Sequence, residues 1–409
     1  MVKQTTKSII PEDWEQKSFS ECVEKTSIPR QIKIPQGQYQ KAGEYPIVDQ
    51  SADFIAGYTD DKSRLYSGQL PVIVFGDHTR IFKYVDFAFS LGADGTKLLC
   101  PKKYLNPHYF YYYLCGLSLE SKGYNRHYKY LKEELISFPG MLEQRKISHI
   151  LLNIKNVIDH QEQIIAKTKE LKRSLMHQLF THGLRSEELK ETEIGAVPNS
   201  WNKKDLEQVA DIVYGAQAAV AHALDSSIGT PIFTNINITN EGKIDLTTLR
   251  YYKVPEKKRN RLMLKKGDIL FNWRSGSKGH VGKTALFELD GEYTFSSFIL
   301  RFRTSKDMRN RFLVYYLQYL KSIGYFSQYR DQSSVNSVFN ASASAKIPVF
   351  MPEMDEQEEI ALAINSIDLK IGAEKSRSNS IKALFRTILN NLMIGQARVK
   401  DIDFGEINV

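Results

Sequence analysis

The tetrapeptide Asn106-Pro107-His108-Tyr109 has residue types with which some enzymes act on an amino group. It resembles the Asn-Pro-Pro-Tyr motif by which amino-methyltransferases hold their target nitrogen. That chemistry also needs a glycine-rich cofactor loop after a strand, and the sequence ahead of the tetrapeptide has none. Proline at an early position is instead typical of the first turn of a helix. We therefore interpret the tetrapeptide as a helix start and not as a catalytic site.

A glycine-rich stretch from Gly276 to Thr284 imitates a phosphate-binding loop. The required spacing between two glycines fails because position 277 is a serine. The residues that follow, Ala285 to Phe287, predict a strand where a phosphate-binding loop needs a helix. The stretch is better interpreted as a flexible basic loop.

Loops rich in basic, amide and hydroxyl side chains occur in both halves of the chain. Such residues suit the reading of DNA, because phosphates are contacted by charged and amide groups and base edges by Arg, Lys, Asn, Gln and Ser. The candidates of the first half are His78, Thr79, Arg80, Lys83, Tyr124, Asn125, Arg126, His127, Tyr128 and Lys129. Those of the second half are Asn272, Arg274, Ser275, Ser277, Lys278, Ser333, Ser334, Asn336, Ser337 and Asn340. For any one residue, a solvated loop side chain is the competing interpretation.

The composition favours a polyanion as partner without specifying which. Lys and Arg number 56 against 47 Asp and Glu, a net charge of +9 that fits nucleic acid. The three cysteines have no metal-binding or redox spacing, which indicates a reducing compartment and predicts no metal site. The N-terminal residues lack the apolar core of a secretory signal, and the densest apolar run is too short for the ~20 residues of a membrane helix. We expect no membrane partner.

The elements that position these residues are used twice. Pro11 and Trp14 recur 187 positions later as Pro198 and Trp201. The pair Glu143-Gln144 recurs 213 positions later as Glu356-Gln357, so the two copies differ in length between these landmarks. A long-period repeat indicates one structural unit used at two places.

Each Glu-Gln pair opens a long helix. No proline or glycine interrupts Glu143 to Phe180, and apolar residues recur there with alternating spacings of three and four. The predicted stripe of the first helix is Ile147, Ile150, Ile154, Val157, Gln161, Ile164, Thr168, Leu171 and Leu175. That of the second is Ile360, Ile364, Ile367, Ile371, Glu374, Ile381, Leu384, Ile388 and Leu392. Either each helix packs on its own module, or, as we expect, the two pair as an antiparallel coiled coil that separates the modules.

The segments ahead of the helices predict small mixed α/β modules. In the first, strands are expected at 45–48, 54–58 and 72–75 and a helix at 106–119. In the second, strands are expected at 231–233, 268–271 and 298–302 and a helix at about 307–321. The predicted domains are residues 1–140, 141–185, 186–350 and 351–409. The fold class is mixed α/β, two modules alternating with two long helices, with a pseudo-twofold internal repeat.

This organisation resembles the specificity subunit of type I restriction-modification systems, the HsdS family. The resemblance covers essentially the whole chain. Its most specific pieces are the opening Ile194 to Trp201 and the exits Ile136 to Pro139 and Ile347 to Val349, which lead into the Glu-Gln pairs. The stretch Pro71 to Thr79, with Gly57-Tyr58-Thr59, is similar to a widespread target-recognition domain subtype. Met141-Leu142 departs from the family, which more often has further prolines there.

The resemblance implies a noncatalytic, prokaryotic, cytoplasmic protein that binds double-stranded DNA. Each module would read half of an asymmetric two-part target, and the helices would set the spacer. Two methyltransferase subunits and the restriction subunits would be its partners, in a complex with adenine-N6 methyltransferase and ATP-dependent endonuclease activity. S-adenosylmethionine, ATP and Mg²⁺ would belong to those partners and none to this chain.

Two alternatives remain at this point. The chain could serve a related system in which restriction and methylation share one polypeptide. It could also be a coiled-coil scaffold that does not read DNA, although that hypothesis leaves two divergent basic modules unexplained. A fused enzyme is disfavoured because the sequence has no convincing cofactor loop or metal-binding carboxylate cluster.

Overall fold

The structure, a computed structural model, describes residues 10–26, 32–92, 95–120, 126–217, 226, 229–275, 280–327, 337–338 and 341–403. For residues 275, 337, 338 and 341 only the backbone is described. The chain forms two compact units, one of Met1–Gln163 with Lys375–Val409 and the other of Ile164–Glu374. Half of each long helix therefore belongs to each unit, whereas the predicted domains set the helices apart as separate segments.

The bounds of the elements follow chain order. The first module contains β1 Glu15–Ser18, α1 Phe19–Cys22, β2 Lys33–Ile34, β3 Tyr45–Val48, β4 Gly57–Thr59, β5 Val72–Gly76, β6 Phe82–Val85, β7 Ser90–Gly92, β8 Thr96–Leu99, α2 Pro107–Gly116, α3 Tyr128–Leu131 and β9 Leu135–Phe138. The first long helix is α4 Met141–His182. The second module contains β10 Leu189–Thr192, β11 Gly195–Pro198, β12 Asn202–Asp205, α5 Leu206–Val209, β13 Ala210–Tyr214, β14 Thr230–Phe233, β15 Arg250–Tyr252, α6 Arg259–Leu262, β16 Ile269–Asn272, β17 Arg274–Ser275, β18 Thr284–Leu286, β19 Thr294–Phe295, β20 Ile299–Thr304, α7 Asn310–Ser322, β21 Ser337–Val338, α8 Ala341–Ala345 and β22 Pro348–Met351. The second long helix is α9 Met354–Met393.

The first module is built on two small sheets, with strand orders β2-β7-β3-β4 and β6-β5-β8. Strand β5 is buried along its whole length because its apolar run lies between β6 and β8. Helix α2 begins where the sequence predicts: the Asn106 side chain accepts from the Tyr109 N–H and caps the helix, with Pro107 in the first turn. The tetrapeptide that imitates a methyltransferase motif is therefore a helix start.

The second module has the sheet orders β13-β20-β16-β18 and β15-β14-β19. Its core includes α7, whose aromatic residues pack with Trp201 and Phe180. Strand β18 follows the glycine-rich stretch, which confirms the predicted strand there and excludes the helix that a phosphate-binding loop requires. The predicted strands and the helix of this module lie within a few residues of β14, β16, β20 and α7.

The repeat seen in the sequence is present in the local contacts of each unit. Strand β1 pairs antiparallel with β9 in the first, and β12 pairs antiparallel with β22 in the second. The Tyr113 hydroxyl accepts from the Ser137 N–H and donates to the Leu135 carbonyl, both at 3.2 Å. In the second unit, the Tyr316 hydroxyl accepts from the Phe350 N–H at 3.2 Å and donates to the Pro348 carbonyl at 2.7 Å. The two copies thus tie the short helix to the exit strand in the same way.

The glutamine of each Glu-Gln pair connects a module to its long helix. Gln144, buried in the first turn of α4, accepts from the Asn106 N–H at 2.8 Å and donates to the carbonyls of Tyr104 and Pro139. Gln357, equally buried in α9, accepts from the Arg309 N–H at 2.9 Å and donates to the carbonyls of Asp307 and Pro352. The two amides thus make the same three kinds of hydrogen bond in the two units, and we call each set an amide brace.

The long helices lie side by side within each unit. In the second unit, Lys172 pairs with Asp368 at 2.8 Å, and Glu356 accepts from the Leu184 N–H at 3.0 Å. Residues farther along the first helix thus contact residues nearer the start of the second, so the two helices are antiparallel in this unit. In the first unit, Glu162 pairs with Lys382 at 2.6 Å, and Glu143 with Arg398 beyond the end of α9. Helix α4 stops at Gly183, where φ is +65°, as the sequence predicts.

Four residues of the predicted stripes do not face inward. Val157, Ile164, Leu171 and Leu384 are 49%, 43%, 58% and 55% exposed. The residue after each of them, Ile158, Ile165, Lys172 and Phe385, is buried or partly buried instead. Ile147, Gln161 and Ile360 are buried, and Ile154, Leu175, Ile367, Glu374 and Ile388 are half-buried. The inward face of each helix is therefore shifted by one residue from the predicted stripe at these four positions.

Candidate nucleic-acid interface

The first candidate loop of module 1 is a tight turn between β5 and β6. Arg80 has φ of +63°, and its N–H donates to the Gly76 carbonyl at 2.7 Å. The Thr79 hydroxyl donates to the Gln50 carbonyl at 2.6 Å, and Arg80 Nη1 donates to the Leu119 carbonyl at 2.7 Å. The left-handed backbone at a non-glycine residue is costly, and these bonds hold it in place. His78 and Arg80 are half-buried, and Thr79 is exposed.

Asp77 brings this loop together with the second candidate cluster of the module. Its side chain is 2% exposed and accepts from the Tyr128 N–H at 2.7 Å. Its carbonyl accepts from the His127 N–H at 2.9 Å and lies 3.0 Å from Nδ1 of the same residue. Two clusters separated by about 50 positions in the chain are thereby joined. Nothing local in the sequence marks Asp77 as a site residue, because its partner lies that far along the chain.

Two candidates of module 1 are buried and do not suit direct contact with DNA. Lys83 is 3% exposed, pairs with Asp49 at 3.8 Å and donates to the Asp53 carbonyl. Burial lowers the pKa of Lys83, which the nearby carboxylate of Asp49 only partly offsets. His127 is 1% exposed and is held by Asp77. We interpret both as residues that position the loops.

The surface candidates of the second cluster are Arg126, Tyr128 and Lys129. Arg126 and Lys129 are exposed, and Tyr128 is half-buried. The Tyr128 ring packs edge-on against Phe19, with the ring centroids 6.2 Å apart, so its position is fixed by the module core. Tyr124 and Asn125 lie outside the described residues.

Module 2 also brings its two candidate clusters together. Strand β17 pairs antiparallel with β21, which places Arg274 opposite Val338 and Ser275 opposite Ser337. The guanidinium carbon of Arg274 lies 5.6 Å from the centre of the Phe298 ring, within cation–π distance, and Phe298 is 37% exposed. The candidates outside the described residues are Ser277, Lys278, Ser333, Ser334, Asn336 and Asn340.

Asn272 is fully buried, and its hydrogen bonds hold the loop of module 2 that follows β17. Its amide donates to the His280 carbonyl at 2.9 Å, and its backbone N–H donates to the Lys283 carbonyl at 2.8 Å. Burial, reinforced by the positive charges of Lys283 and Lys321, lowers the pKa of His280. Asn272 is thus a positioning residue, as Lys83 and His127 are in module 1, and direct contact with DNA does not fit its burial.

Tertiary contacts therefore join the two candidate clusters of each module, and the exposed or half-buried basic candidates described are Arg80, Arg126 and Lys129 in module 1 and Arg274 in module 2. No group of three or more His, Cys, Asp or Glu side chains able to hold a metal ion occurs among the residues that the structure describes. Within the same residues, no helix is long and apolar enough to cross a membrane.

The chain is similar in sequence to type I restriction-modification specificity proteins. The type I restriction modification DNA specificity domain matches residues 198–383, which span most of module 2 and much of α9. The specificity subunit of the type I restriction enzyme MjaVIII from Methanocaldococcus jannaschii is 26% identical over 66% of this chain and 63% of its own length. The putative MjaX specificity subunit of the same organism is 28% identical over 49% of each chain. The chain thus spans between half and two thirds of the length of these relatives.

The fold is shared with solved structures. The S subunit of a type I restriction-modification system from M. genitalium has a TM-score of 0.57 at 16% identity, over 96% of this chain and 98% of that one. A structure from work on complex assembly and conformational transition of the type I R-M system has the same TM-score at 15% identity, over 95% of this chain and 99% of that one. The chain is thus similar to type I restriction-modification specificity subunits, the HsdS family, which its motifs resemble, and residues 198–383 match their DNA specificity domain.

Proposed function

We propose that this chain is the DNA-reading subunit of a type I restriction-modification complex and recognises a two-part asymmetric target. The observation that carries the proposal is that the two candidate clusters of each module are joined, through Asp77 in one module and through β17 and β21 in the other. Each pair offers side chains suited to phosphates and base edges on a rigid support. The modules differ in sequence, so each would read its own half-site.

The long helices would set the distance between the half-sites as an antiparallel coiled coil. Their 42 and 40 residues correspond to about 60 Å of helix each. The antiparallel contacts found within each unit support this arrangement, as do the partly buried positions spaced by three and four. A buried polar residue such as Gln161 would fix the register.

The helices would also receive the two methyltransferase subunits. Within the second unit, Ile164 and Leu171 of α4 are 43% and 58% exposed, and Leu362 and Leu369 of α9 are 54% and 66% exposed. Apolar side chains in rows of this kind indicate a surface that a partner protein covers. In this arrangement the chain itself is noncatalytic. S-adenosylmethionine, ATP and Mg²⁺ would be bound by the methyltransferase and restriction subunits.

The test is a reciprocal exchange of modules. Residues 201–345 are replaced by the same segment of a relative with a different target, and the methylated sequence is mapped genome-wide in cells that carry the whole complex. We expect only one half of the methylated site to change. The matched control is the exchange of residues 14–132, which should change only the other half.

Three results would contradict the proposal in different ways. A change of both half-sites in either exchange would show that the modules do not read DNA independently. Methylation that does not depend on this chain would favour the alternative hypothesis, a scaffold that does not read DNA. Methyl transfer by the purified chain alone would refute a noncatalytic subunit, and Asn106 to Tyr109 would then have to be reconsidered.

A further inference from the structure

A cavity of about 430 Å³ opens in module 1 beside Tyr128. Four lysines line it: Lys25, Lys33, Lys97 and Lys132. They come from separate parts of the module, and none of them is among the DNA-binding candidates predicted from the sequence. The volume falls in the usual range for ligand pockets, roughly 300–1,000 Å³, but such pockets are predominantly apolar and this one is lined by lysines.

The charges around the cavity are unbalanced. Glu24 is the acidic residue of its lining, and the carboxylate of Glu24 is bound to Lys102 at 2.6 Å. Among the residues that the structure describes, Lys25, Lys97 and Lys132 have no carboxylate within ion-pair distance. Ammonium groups gathered around one space repel each other, and an anion in that space would relieve the repulsion.

The cavity shares a wall with the proposed DNA interface. Two of the lysines lie close to the Tyr128 ring, with Lys97 Nζ 5.5 Å and Lys132 Nζ 5.1 Å from its centre. The backbone of Tyr128 is held by Asp77, which lies in the same turn as Thr79 and Arg80. A polyanion that contacts Arg126 and Lys129 on the surface would thus pass close to the lysines.

We propose that the lysine-lined cavity binds phosphate groups, and that in the working complex these are phosphates of the DNA backbone next to the half-site of module 1. The proposal deepens the proposed function and rests on it for the source of the phosphate. Lysine suits this task because its ammonium group acts as a point charge that needs no fixed geometry. Contacts of this kind add affinity and register without reading sequence.

The experiment compares the full chain with Lys97→Gln/Lys132→Gln. Binding to a mixed-sequence duplex is measured by fluorescence anisotropy over a series of salt concentrations. Each lost phosphate contact should reduce the slope of log K against log salt by about 0.9, hence by about 2 for the double variant. Lys97→Arg/Lys132→Arg should restore the slope, and Lys41→Gln/Lys62→Gln, a matched loss of two exposed lysines outside the cavity, should leave it unchanged.

A second arm tests the cavity without DNA. Inorganic phosphate is titrated calorimetrically into the wild-type chain and the Lys97→Gln/Lys132→Gln variant, in a buffer free of other polyvalent anions. A shallower salt slope that the arginine variant rescues supports DNA phosphate as the ligand. Phosphate binding that the glutamine variant abolishes, with an unchanged salt slope, supports the phosphate site but rejects DNA as its source.

The proposal is overturned if the glutamine variant has an unchanged salt slope and the wild-type chain binds no inorganic phosphate. Failure of the wild-type chain to bind any duplex would instead contradict the proposed function, and the phosphate titration would still decide on the cavity. Thermal unfolding of each variant confirms folding. Removal of mutually repelling lysines should leave the melting temperature unchanged or raise it.

Discussion

Replacement of Asp77 by alanine should uncouple the two loops of module 1 and weaken recognition of one half-site. The carboxylate is 2% exposed and accepts from the Tyr128 N–H at 2.7 Å. A hydrogen bond to a charged group contributes ~1.5–3 kcal/mol, and a buried donor left unpaired costs ~1–3 kcal/mol. Asp77→Asn keeps an acceptor oxygen and loses only the charge, so it should cost less than Asp77→Ala.

The loss should appear mainly in DNA binding, because the segment around Arg126 and Tyr128 must then be ordered when DNA binds. We expect Asp77→Ala to weaken binding by ~2 kcal/mol, a factor of ~30. The assay is competition between duplexes with one or the other half-site scrambled, once methylation mapping has given the target. The penalty should vanish on duplexes that lack the half-site of module 1.

A matched control is available in module 2. Asp268 is 1% exposed, accepts from the Lys265 N–H at 2.7 Å and pairs with Arg303. Asp268→Ala should lower stability but leave discrimination at the module 1 half-site intact. Binding of Asp77→Ala within threefold of wild type on both half-sites, in a folded protein, would refute the inference that this aspartate organises the interface.

Further predictions concern contacts, spacing and stability. Arg274→Ala should cost ~1–3 kcal/mol and relax preference only in its own half-site if the side chain reads a base, whereas an even loss on all sequences with a shallower salt slope would mark a phosphate contact. Insertion of four residues near Thr168 adds ~6 Å of helix and should lengthen the spacer by one or two base pairs of ~3.4 Å, and an unchanged spacer in an active variant would exclude a ruler. Arg398→Ala should lower the free energy of unfolding by ~2 kcal/mol in urea titrations, because it leaves Glu143 buried without its cation. Burial raises the pKa of Glu143, but Arg398 and the Val399 N–H lower it below 4.5 in the wild type. Without Arg398 burial should raise this pKa, so the difference between wild type and variant should be full above the raised pKa of the variant and shrink as the pH falls from there to the lowered pKa of the wild type.

The sequence predicted where the long helices begin and end, but not which of two adjacent apolar residues faces inward. Their ends are set by local signals such as Gly183, which the sequence displays directly. The inward face is ambiguous, because apolar residues stand in adjacent pairs such as Val157-Ile158, and either member satisfies the three-and-four spacing. Val157 is 49% exposed and Ile158 is 5% exposed. Only packing against neighbouring elements decides between them.

The candidate interface was predictable as clusters but not as contacts. Basic and amide residues in loops indicate where a polyanion would bind, and the structure does join the two clusters of each module. Burial could not be foreseen for Lys83 and Asn272, since a lysine or asparagine in a loop is usually solvated. Their partners come from distant segments, and the sequence gives no sign of such pairings.

The amide braces at Gln144 and Gln357 bear on how force passes through the molecule. Each amide is fully engaged, holding the start of a short helix and the end of an exit strand against the first turn of a long helix. A module could swivel at this joint only by breaking all three hydrogen bonds of the amide. Torque applied to a module, for example by overwound or underwound DNA, would therefore be passed to the long helix instead of being absorbed at the joint.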